Sequence, residues 1–411
     1  MKKTIRDTLK ITALGIAVLF TGLLTSCHDQ IYQKINKEVK LEANGISGDI
    51  NSIVRFNGKL YLSNGKLYEK DATPSRDTGL FNRQWKKVST NLSEKGKSIG
   101  HIAADGNYIY AVVLTYKESK TTGYNQVSDR SLHYSSDGEN WTEITKESLS
   151  SIIGSSPSIG SILTVMGNRA YDFASSCYDP LLANAYVKLY DSTDKKYKIY
   201  LLDGPSVPTS PVTSNNANEN TESVVYFKGD DYFFDFYASA ANDTYMYYTT
   251  SGSEKLYWAN QLDYNSESGE YSYTVNGTER SYDEDSSYIY SIGVTADALI
   301  LGTFYGAVNV KFKGTDSSDT DKYRIPENDP SDFSNSNNAD SILNSNYVVN
   351  PIFVLEPDRV EDDTDTYAGI TIYGSLSSSS GIFDETGLYA YYPARGYWNR
   401  DGTADDSSAG N

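Results

Sequence analysis

"GHIAADGNYIYAVVL", residues 100–114, reads as an apolar strand, a tight Asp-Gly turn and a second strand carrying tyrosine. The same sentence recurs along the chain. It appears as "SIVRFNGKLYLSNG" (52–65), "SILTVMGNRAYDFAS" (161–175), "SVVYFKGDDYFFDFY" (223–237) and "YIYSIGVTADALILGTF" (288–304). A divergent sixth copy is "YVVNPIFVLEP" with "YAGITIYGSL" (347–357 and 367–376). The copies start at 52, 100, 161, 223, 288 and 347, so the spacings are 48, 61, 62, 65 and 59 residues.

Two more strand candidates follow each pair, the last often aromatic. They are "KLYEK" with "QWKKV", "SLHYS" with "NWTEI", "YVKLYD" with "YKIYLLD", "YMYYTT" with "KLYWA", "AVNVKF" with "YRIP", and "GLYAYY" with "GYWNR". Four strands per unit at a near-fixed period is the signature of a β-propeller. The expected fold is therefore all-β, a six-bladed propeller of four-stranded antiparallel blades over residues 50–400. Counting 263–287 as a degenerate blade makes seven. A sandwich pair or a large barrel fits the spacing and the terminal aromatic strand less well. Both ends supply whole blades, so ring closure is expected to rest on side-chain packing, with 401–411 as a disordered tail. The period exceeds the roughly 40–50 residues of compact blades. The surplus lies in polar loops at 204–222, 263–287 and 314–346, which read as surface insertions or a binding face.

Composition supports strands: 36 residues are tyrosine and 3 are methionine, and tyrosine suits a pleated, half-buried surface. Packing within blades is the favoured role for these rings, and ligand stacking the competing one. The formal charge is −18. Residues 1–26 hold Lys2, Lys3, Arg6 and Lys10 against Asp7, so the remainder is more acidic still, at −21. Such a surface repels phosphate backbones and excludes nucleic acid as a natural partner.

The N-terminus reads as a signal helix. "MKKTIRDTLK" (1–10) is a positive n-region, and "ITALGIAVLFTGLL" (11–24) is an apolar run of 14 residues. That is short for a span of about 20 residues and right for a signal sequence. Leu24-Thr25-Ser26-Cys27 follows and resembles a bacterial lipobox. The resemblance implies cleavage between Ser26 and Cys27, a diacylglycerol on the thiol and an N-acyl chain on the new amine. Two or three acyl chains hold firmly to a membrane where one does not. His28 replaces the aspartate that retains lipoproteins at the inner membrane in enteric bacteria, so the outer membrane is expected. Residues 27–49 read as the lipidated terminus and a flexible tether. Cys177, in "FASSCYDP", is left without a disulfide partner and reads as a packed thiol.

Ser135-Ser136-Asp137-Gly138-Glu139-Asn140-Trp141 resembles the Asp-box turn of sialidase-type propellers, which joins the third and fourth strands of a blade. The resemblance makes Ser135, Asp137, Gly138 and Trp141 structural rather than catalytic. Asp137 accepts from turn amides, Gly138 supplies a positive φ, and Trp141 packs between blades. The motif is one residue shorter than the longest family form, with traces at "DSTDKKY" (191–197) and "SGSEKLYW" (251–258).

"YRIP" (323–326) matches the sialidase arginine motif by letters. In that family the motif precedes the Asp-boxes; here it falls late, so Arg324 reads as a loop residue. Acidic runs at 283–285, 316–321 and 361–365 lack the glycine and later glutamate of a calcium loop, and solvated charge is the better account. No transition-metal set, phosphate loop or nucleophile elbow is present. No catalytic residue, metal or dissociable cofactor is expected. The sequence points to a membrane-anchored envelope lipoprotein whose propeller binds or scaffolds proteins or glycans. A sialidase-like hydrolase is the competing reading.

Overall fold

The computed structural model describes residues 45–72, 85–153, 158–166, 171–172, 177–178, 183–207, 236–241, 245–250, 256–265, 270–275, 288–294, 298–304, 306–312, 323–324, 348–355, 371–377, 386–392 and 397–401. Its body, from Ile46 onward, is a succession of antiparallel sheets, most of them simple meanders. The first sheet is β1 (Ser52–Phe56), β2 (Lys59–Ser63), β3 (Leu67–Asp71) and β4 (Lys86–Lys87), in that order. Asn57 (φ +48°) and Gly58 (φ +72°) turn β1 into β2, the paired positive φ values of a tight hairpin. The second sheet is β5 (Lys97–Ala104), β6 (Ile109–Glu118), β7 (Asn125–Ser135) and β8 (Thr142–Ile144). A helix, α1 (Lys146–Ile153), follows it. Its Leu149 and Ile153, one turn apart, are both buried. The expected strands do not include it.

The third unit departs from the expected pattern. β9 (Ser158–Met166) pairs directly with β12 (Ala183–Asp191), which pairs with β13 (Lys196–Leu201), giving three strands. The segment expected as the second strand forms instead a separate small hairpin, β10 (Tyr171–Asp172) with β11 (Cys177–Tyr178). The second place in a sheet has a neighbour on both edges, and in β2 and β23 it buries nearly every residue. "YDFASSCYDP" is too interrupted by Asp, Ser and Pro for that position, and "ANAYVKLYD" fills it. Cys177 thus begins a two-residue strand, opposite Asp172.

The fourth sheet is β14 (Phe236–Ala241), β15 (Tyr245–Thr250), β16 (Leu256–Asn265) and β17 (Glu270–Val275). "YMYYTT" and "KLYWA" are therefore its second and third strands, one place earlier than expected. "EYSYTV", expected within a loop or a degenerate seventh unit, pairs with β16 as the fourth strand. Its alternating residues carry the two-residue period of a strand. Residues 223–235 lie outside the described residues.

The fifth sheet is β18 (Ile289–Val294), β19 (Ala298–Thr303), β20 (Gly306–Phe312) and β21 (Tyr323–Arg324). Arg324 is thus in a short strand opposite Lys311 rather than in a loop. The sixth is β22 (Val349–Leu355), β23 (Thr371–Leu376), β24 (Gly387–Tyr392) and β25 (Tyr397–Arg400).

The first strands of successive sheets touch in cyclic order. β1 meets β5, β5 meets β9, β9 meets β14, β14 meets β18, β18 meets β22, and β22 meets β1 again. Between neighbouring sheets lie apolar layers. Val54, Tyr61 and Leu67 of the first sheet pack with Ile99, Ala111 and Val113 of the second. Tyr110, Val112 and Leu132 pack with Ile159, Ile162, Val187 and Leu189 of the third. Ile53, Leu60, Leu62 and Trp85 pack with Leu355, Tyr373, Leu388 and Ala390 of the sixth. Each such aliphatic or aromatic side chain contributes about 1.5–3 kcal/mol when fully buried.

The junction between the first and sixth sheets corrects two expected boundaries and adds to the expected closure. Ile46, expected in the tether, is buried, and its N–H donates to the Asp401 carbonyl at 2.9 Å. Its own carbonyl accepts from Leu388 N–H at 2.9 Å, and Asp401 N–H donates to Leu388 O. Asp401, expected in the tail, is buried as well, and its carboxylate accepts from Trp85 Nε1 at 2.9 Å. Lys70, 4% exposed, donates to Tyr373 Oη at 2.6 Å and lies over the Trp85 and Tyr373 rings. Burial lowers the Lys70 pKa, and the charges of Asp401 and Asp71 oppose that shift. The junction of the first and sixth sheets thus uses main-chain hydrogen bonds and a buried cation as well as packing.

Candidate functional site

The turn between β7 and β8 gathers the four residues singled out in the sequence. Ser135 Oγ donates to Asp137 Oδ1 at 2.8 Å and accepts from Gly138 N–H at 2.9 Å. Asp137 Oδ1 accepts from the amides of Glu139 and Asn140, each at 2.8 Å, and Oδ2 from Asn140 Nδ2 at 2.7 Å. These donors, the Asn140 side chain foremost, hold the Asp137 carboxyl well below the usual carboxylate range. Gly138 has φ +79°, and a Cβ there would overlap the Tyr61 hydroxyl of the preceding sheet. Trp141 is buried against that sheet, and its Nε1 donates to Gly138 O at 3.1 Å. Ser135 and Asp137 thus spend their polar atoms on holding the turn.

The trace at 191–197 closes the β12–β13 hairpin. Asp191 accepts from the amides of Thr193 and Asp194 and from Lys198 Nζ, and Lys195 takes the positive φ. The Asp-Gly turn read between β5 and β6, Asp105-Gly106-Asn107-Tyr108, does more than reverse the chain. Asp105 caps Asn107 and Tyr108 N–H and accepts from Tyr110 Oη at 2.7 Å. Tyr110 Oη in turn accepts from Gly204 N–H at 2.8 Å, fixing the loop after β13. Val207, in that otherwise polar loop, is buried.

The first strands of the sheets carry a further device, not legible in the repeat itself. The first strands of the second to sixth sheets each shift register against their partner, holding an extra residue there. Such bulges re-aim side chains and are frequent beside functional sites. Around them run aliphatic pairs three residues apart: Ile99 and Ile102, Ile159 and Ile162, Ile289 and Ile292, Val349 and Ile352. Ile50 and Ile53 repeat the spacing at the first sheet. In a regular strand this spacing faces opposite sides, so it was a readable signal of an inserted residue.

Between the aliphatics, hydroxyl groups tie neighbouring inner strands. Ser52 Oγ accepts from Ile102 N–H at 2.7 Å, and Ser291 Oγ accepts from Ile352 N–H at 2.9 Å. Thr164 Oγ1 accepts from Ala104 N–H at 2.8 Å. The position held by Ser52 and Ser291 is His101 in the second sheet and Ser161 in the third, and both are exposed. His101 is reached by water, yet crowding by protein lowers its pKa, with the Arg130 charge a second cause. Arg130 stands nearby, its Nη1 donating to Ile159 O at 3.2 Å.

A Ser–His pair on β7 invites a nucleophile reading, which the geometry answers. Ser131 Oγ and His133 Nε2 are 2.9 Å apart, and His133 Nδ1 is buried without a partner. A buried N–H lacking an acceptor costs more than a bare lone pair, which places the ring hydrogen on Nε2. Nε2–H then donates to Ser131, so the imidazole is not its base. Desolvation first, and Lys97 second, push the His133 pKa down to about 4.

Among the described residues Tyr61, Tyr110, Tyr186, Tyr200, Tyr373 and Tyr389 are buried, while Tyr124, Tyr197 and Tyr288 are exposed. Among the described residues no group of three or more His, Cys, Asp or Glu is placed to hold a metal ion. None of their helices is long and apolar enough to cross a membrane. Ser26, Cys27, His28 and the acidic runs at 283–285, 316–321 and 361–365 lie outside the described residues.

Residues 1–177 match the TP013X lipoprotein family. Three lipoproteins of Treponema pallidum (strain Nichols), each described as uncharacterized, share segments of this chain. One is 36% identical over 95 residues, which are 22% of this chain and 18% of that protein. Another is 33% identical over 104 residues, 25% of each. The chain thus spans a quarter or less of these relatives' length. The lipoprotein character read at Leu24–Cys27 has this support. Among solved structures, the PQQ-bound aldose sugar dehydrogenase of Streptomyces coelicolor is 12% identical, with TM-score 0.38, over 84% of this chain and 95% of that one. The allergen Mala s 1 of Malassezia sympodialis is 10% identical, with TM-score 0.35, over 85% and 95%. Neither likeness assigns an activity.

Proposed function

We propose that this chain is an envelope lipoprotein, cleaved between Ser26 and Cys27 and held by lipid on Cys27. Its body is a six-bladed β-propeller that binds or scaffolds proteins or glycans at the outer membrane. The observation that carries the architecture is the cyclic contact of six inner strands, with β22 returning to β1. The Ser135–Trp141 turn serves it as an Asp-box does, fastening Tyr61 and Trp141 across neighbouring blades. The propeller needs no dissociable cofactor or metal in this role. Binding is favoured over catalysis because Ser135 and Asp137 of the Ser135–Trp141 turn are spent on holding that turn. Among the described residues the Ser131–His133 pair, with its ring hydrogen assigned to Nε2, is not set for nucleophile activation.

Radiolabelled palmitate incorporated by the wild-type chain and lost in Cys27→Ala tests the anchor; unchanged labelling would sink it. The body without residues 1–26 is then screened on glycan arrays and against glycosidase substrates. Saturable binding without turnover is expected. Turnover abolished by one carboxylate substitution would overturn the binding role.

A further inference from the structure

Among the described residues the exposed large apolar side chains are Tyr124, Val127, Tyr197, Tyr288 and Phe304. All of them lie at one end of the body, the end at which the first strands begin. Contacts near those starts give the fifth, sixth, first, second and third sheets one polarity. Gly65 N–H donates to Ile99 O at 3.1 Å between the first and second sheets, and Arg130 reaches Ile159 O between the second and third. Asn64 Nδ2 donates to Ser47 O at 3.0 Å, and Ser47 pairs with Gly387 of the sixth sheet. A Cβ on Gly302 of the fifth would meet Val349 O, where β22 begins. In this frame Val127 lies opposite Tyr116, beyond the start of β5 at Lys97. Tyr124 immediately precedes the same strand β7. Tyr197 is opposite Tyr190, which is itself opposite Ser158, the first residue of β9. Tyr288 precedes β18, and its carbonyl accepts from Phe304 N–H at 3.1 Å.

The polypeptide from Cys27 joins the body at this same end, because Ile46 bonds to Leu388 and Asp401 beside Gly387. Eighteen residues, 28–45, separate Cys27 from Ile46. Even fully extended they reach no further than about 60 Å. We propose that this end of the body rests on the lipid bilayer, with the exposed rings and Val127 in the interfacial layer. Tyrosine suits that layer, its ring among acyl chains and its hydroxyl among headgroups. Lipid on Cys27 makes the second contact intramolecular, so a few partly buried side chains are enough to orient the body. The acidic balance of the chain opposes anionic headgroups, so the contact is apolar and outlasts high salt. The turns at Asp105–Tyr108 and Ser135–Trp141 then face away from the membrane. The proposal rests on the lipid anchor at Cys27 and assigns the face that the anchor holds down.

The test uses the full chain carrying Cys177→Ser, purified with its lipid and reconstituted in phosphatidylcholine vesicles. A fluorophore is placed by Lys66→Cys or Lys120→Cys at the proposed face, or by Glu139→Cys at the opposite end. A nitroxide on the lipid headgroup is expected to quench the first two severalfold more than the third, at low and high salt alike. Tyr124→Ser, Val127→Ser and Tyr288→Ser together should remove the difference while leaving the thermal midpoint in place. Equal quenching at both ends of the unsubstituted chain, or stronger quenching at position 139, would overturn the proposal. So would shielding of position 120 that grows with protein density in the vesicle, the mark of a second copy on this face. Palmitate labelling of the same preparation separates the two readings. Labelled chain with equal quenching ends this proposal alone, whereas unlabelled chain ends the anchor and the proposal with it.

Discussion

Acidification offers a quantitative test of the packing around His133. Its imidazole titrates near 4 in the folded chain and near 6.5 when unfolded. Between those values the unfolded chain binds a proton that the folded chain refuses, so stability falls as pH falls from about 6.5 to about 4. A gap of about 2.5 units at 1.36 kcal/mol each amounts to about 3 kcal/mol. Urea unfolding of wild type and His133→Gln, at intervals from pH 7 to 4, isolates this contribution because the carboxylates titrate alike in both. Wild type is expected to lose about 3 kcal/mol more than the variant across the window. Following the ring protons by NMR, with His101→Gln to separate the other body histidine, gives the midpoint directly. A His133 midpoint near 6.5, or parallel stability curves, would refute the reasoning.

The other tests concern contacts between sheets. Asp401→Ala removes the acceptor of Trp85 Nε1 and an anion that offsets buried Lys70, and is expected to cost about 3–5 kcal/mol. Lys70→Met in the same chain should restore much of that loss, and equal losses in single and double variants by denaturant midpoint would count against the coupling. Gly138→Ala forces a side chain into positive φ and against Tyr61; thermal unfolding should show at least about 1–2 kcal/mol of destabilisation. Ser52→Ala leaves the Ile102 N–H without its hydroxyl acceptor, for about 1–3 kcal/mol, whereas exposed Ser161→Ala should be near neutral in the same assay.

Strands of the first, second, fifth and sixth sheets were readable because alternation and turn residues agreed there. "RFNGKLYLS" holds both signals within nine residues. The third and fourth sheets were misread for a common reason. Counting strands forward from an apolar start fails when one candidate is diverted, as Tyr171–Asp172 is, or when the start itself is misplaced. "EYSYTV" was then left over, though its period was plain. The bulges escaped for the opposite reason. An aliphatic pair three apart reads as helix or noise until cross-strand register shows that one residue has been inserted. His101 and Arg130 are 29 positions apart on strands of unlike role, and only the sheet brings the Arg130 charge close enough to act on the imidazole. α1 is two turns long, and its Leu149 and Ile153 alone are too short a pattern to stand against flanking strands.

The junction at Ile46 also sets a timetable. Its partners are Leu388 and Asp401, and Trp85 waits for the same Asp401. A chain that emerges from ribosome or translocon N-terminus first presents its opening sheet long before these partners exist. The face of that sheet bearing Lys70 and Trp85 therefore stays wet, with an uncompensated ammonium group, until residues 388–401 have passed. Completion of the first sheet waits for Asp401, and a chain cut short before that residue leaves its first sheet as unfinished as its sixth.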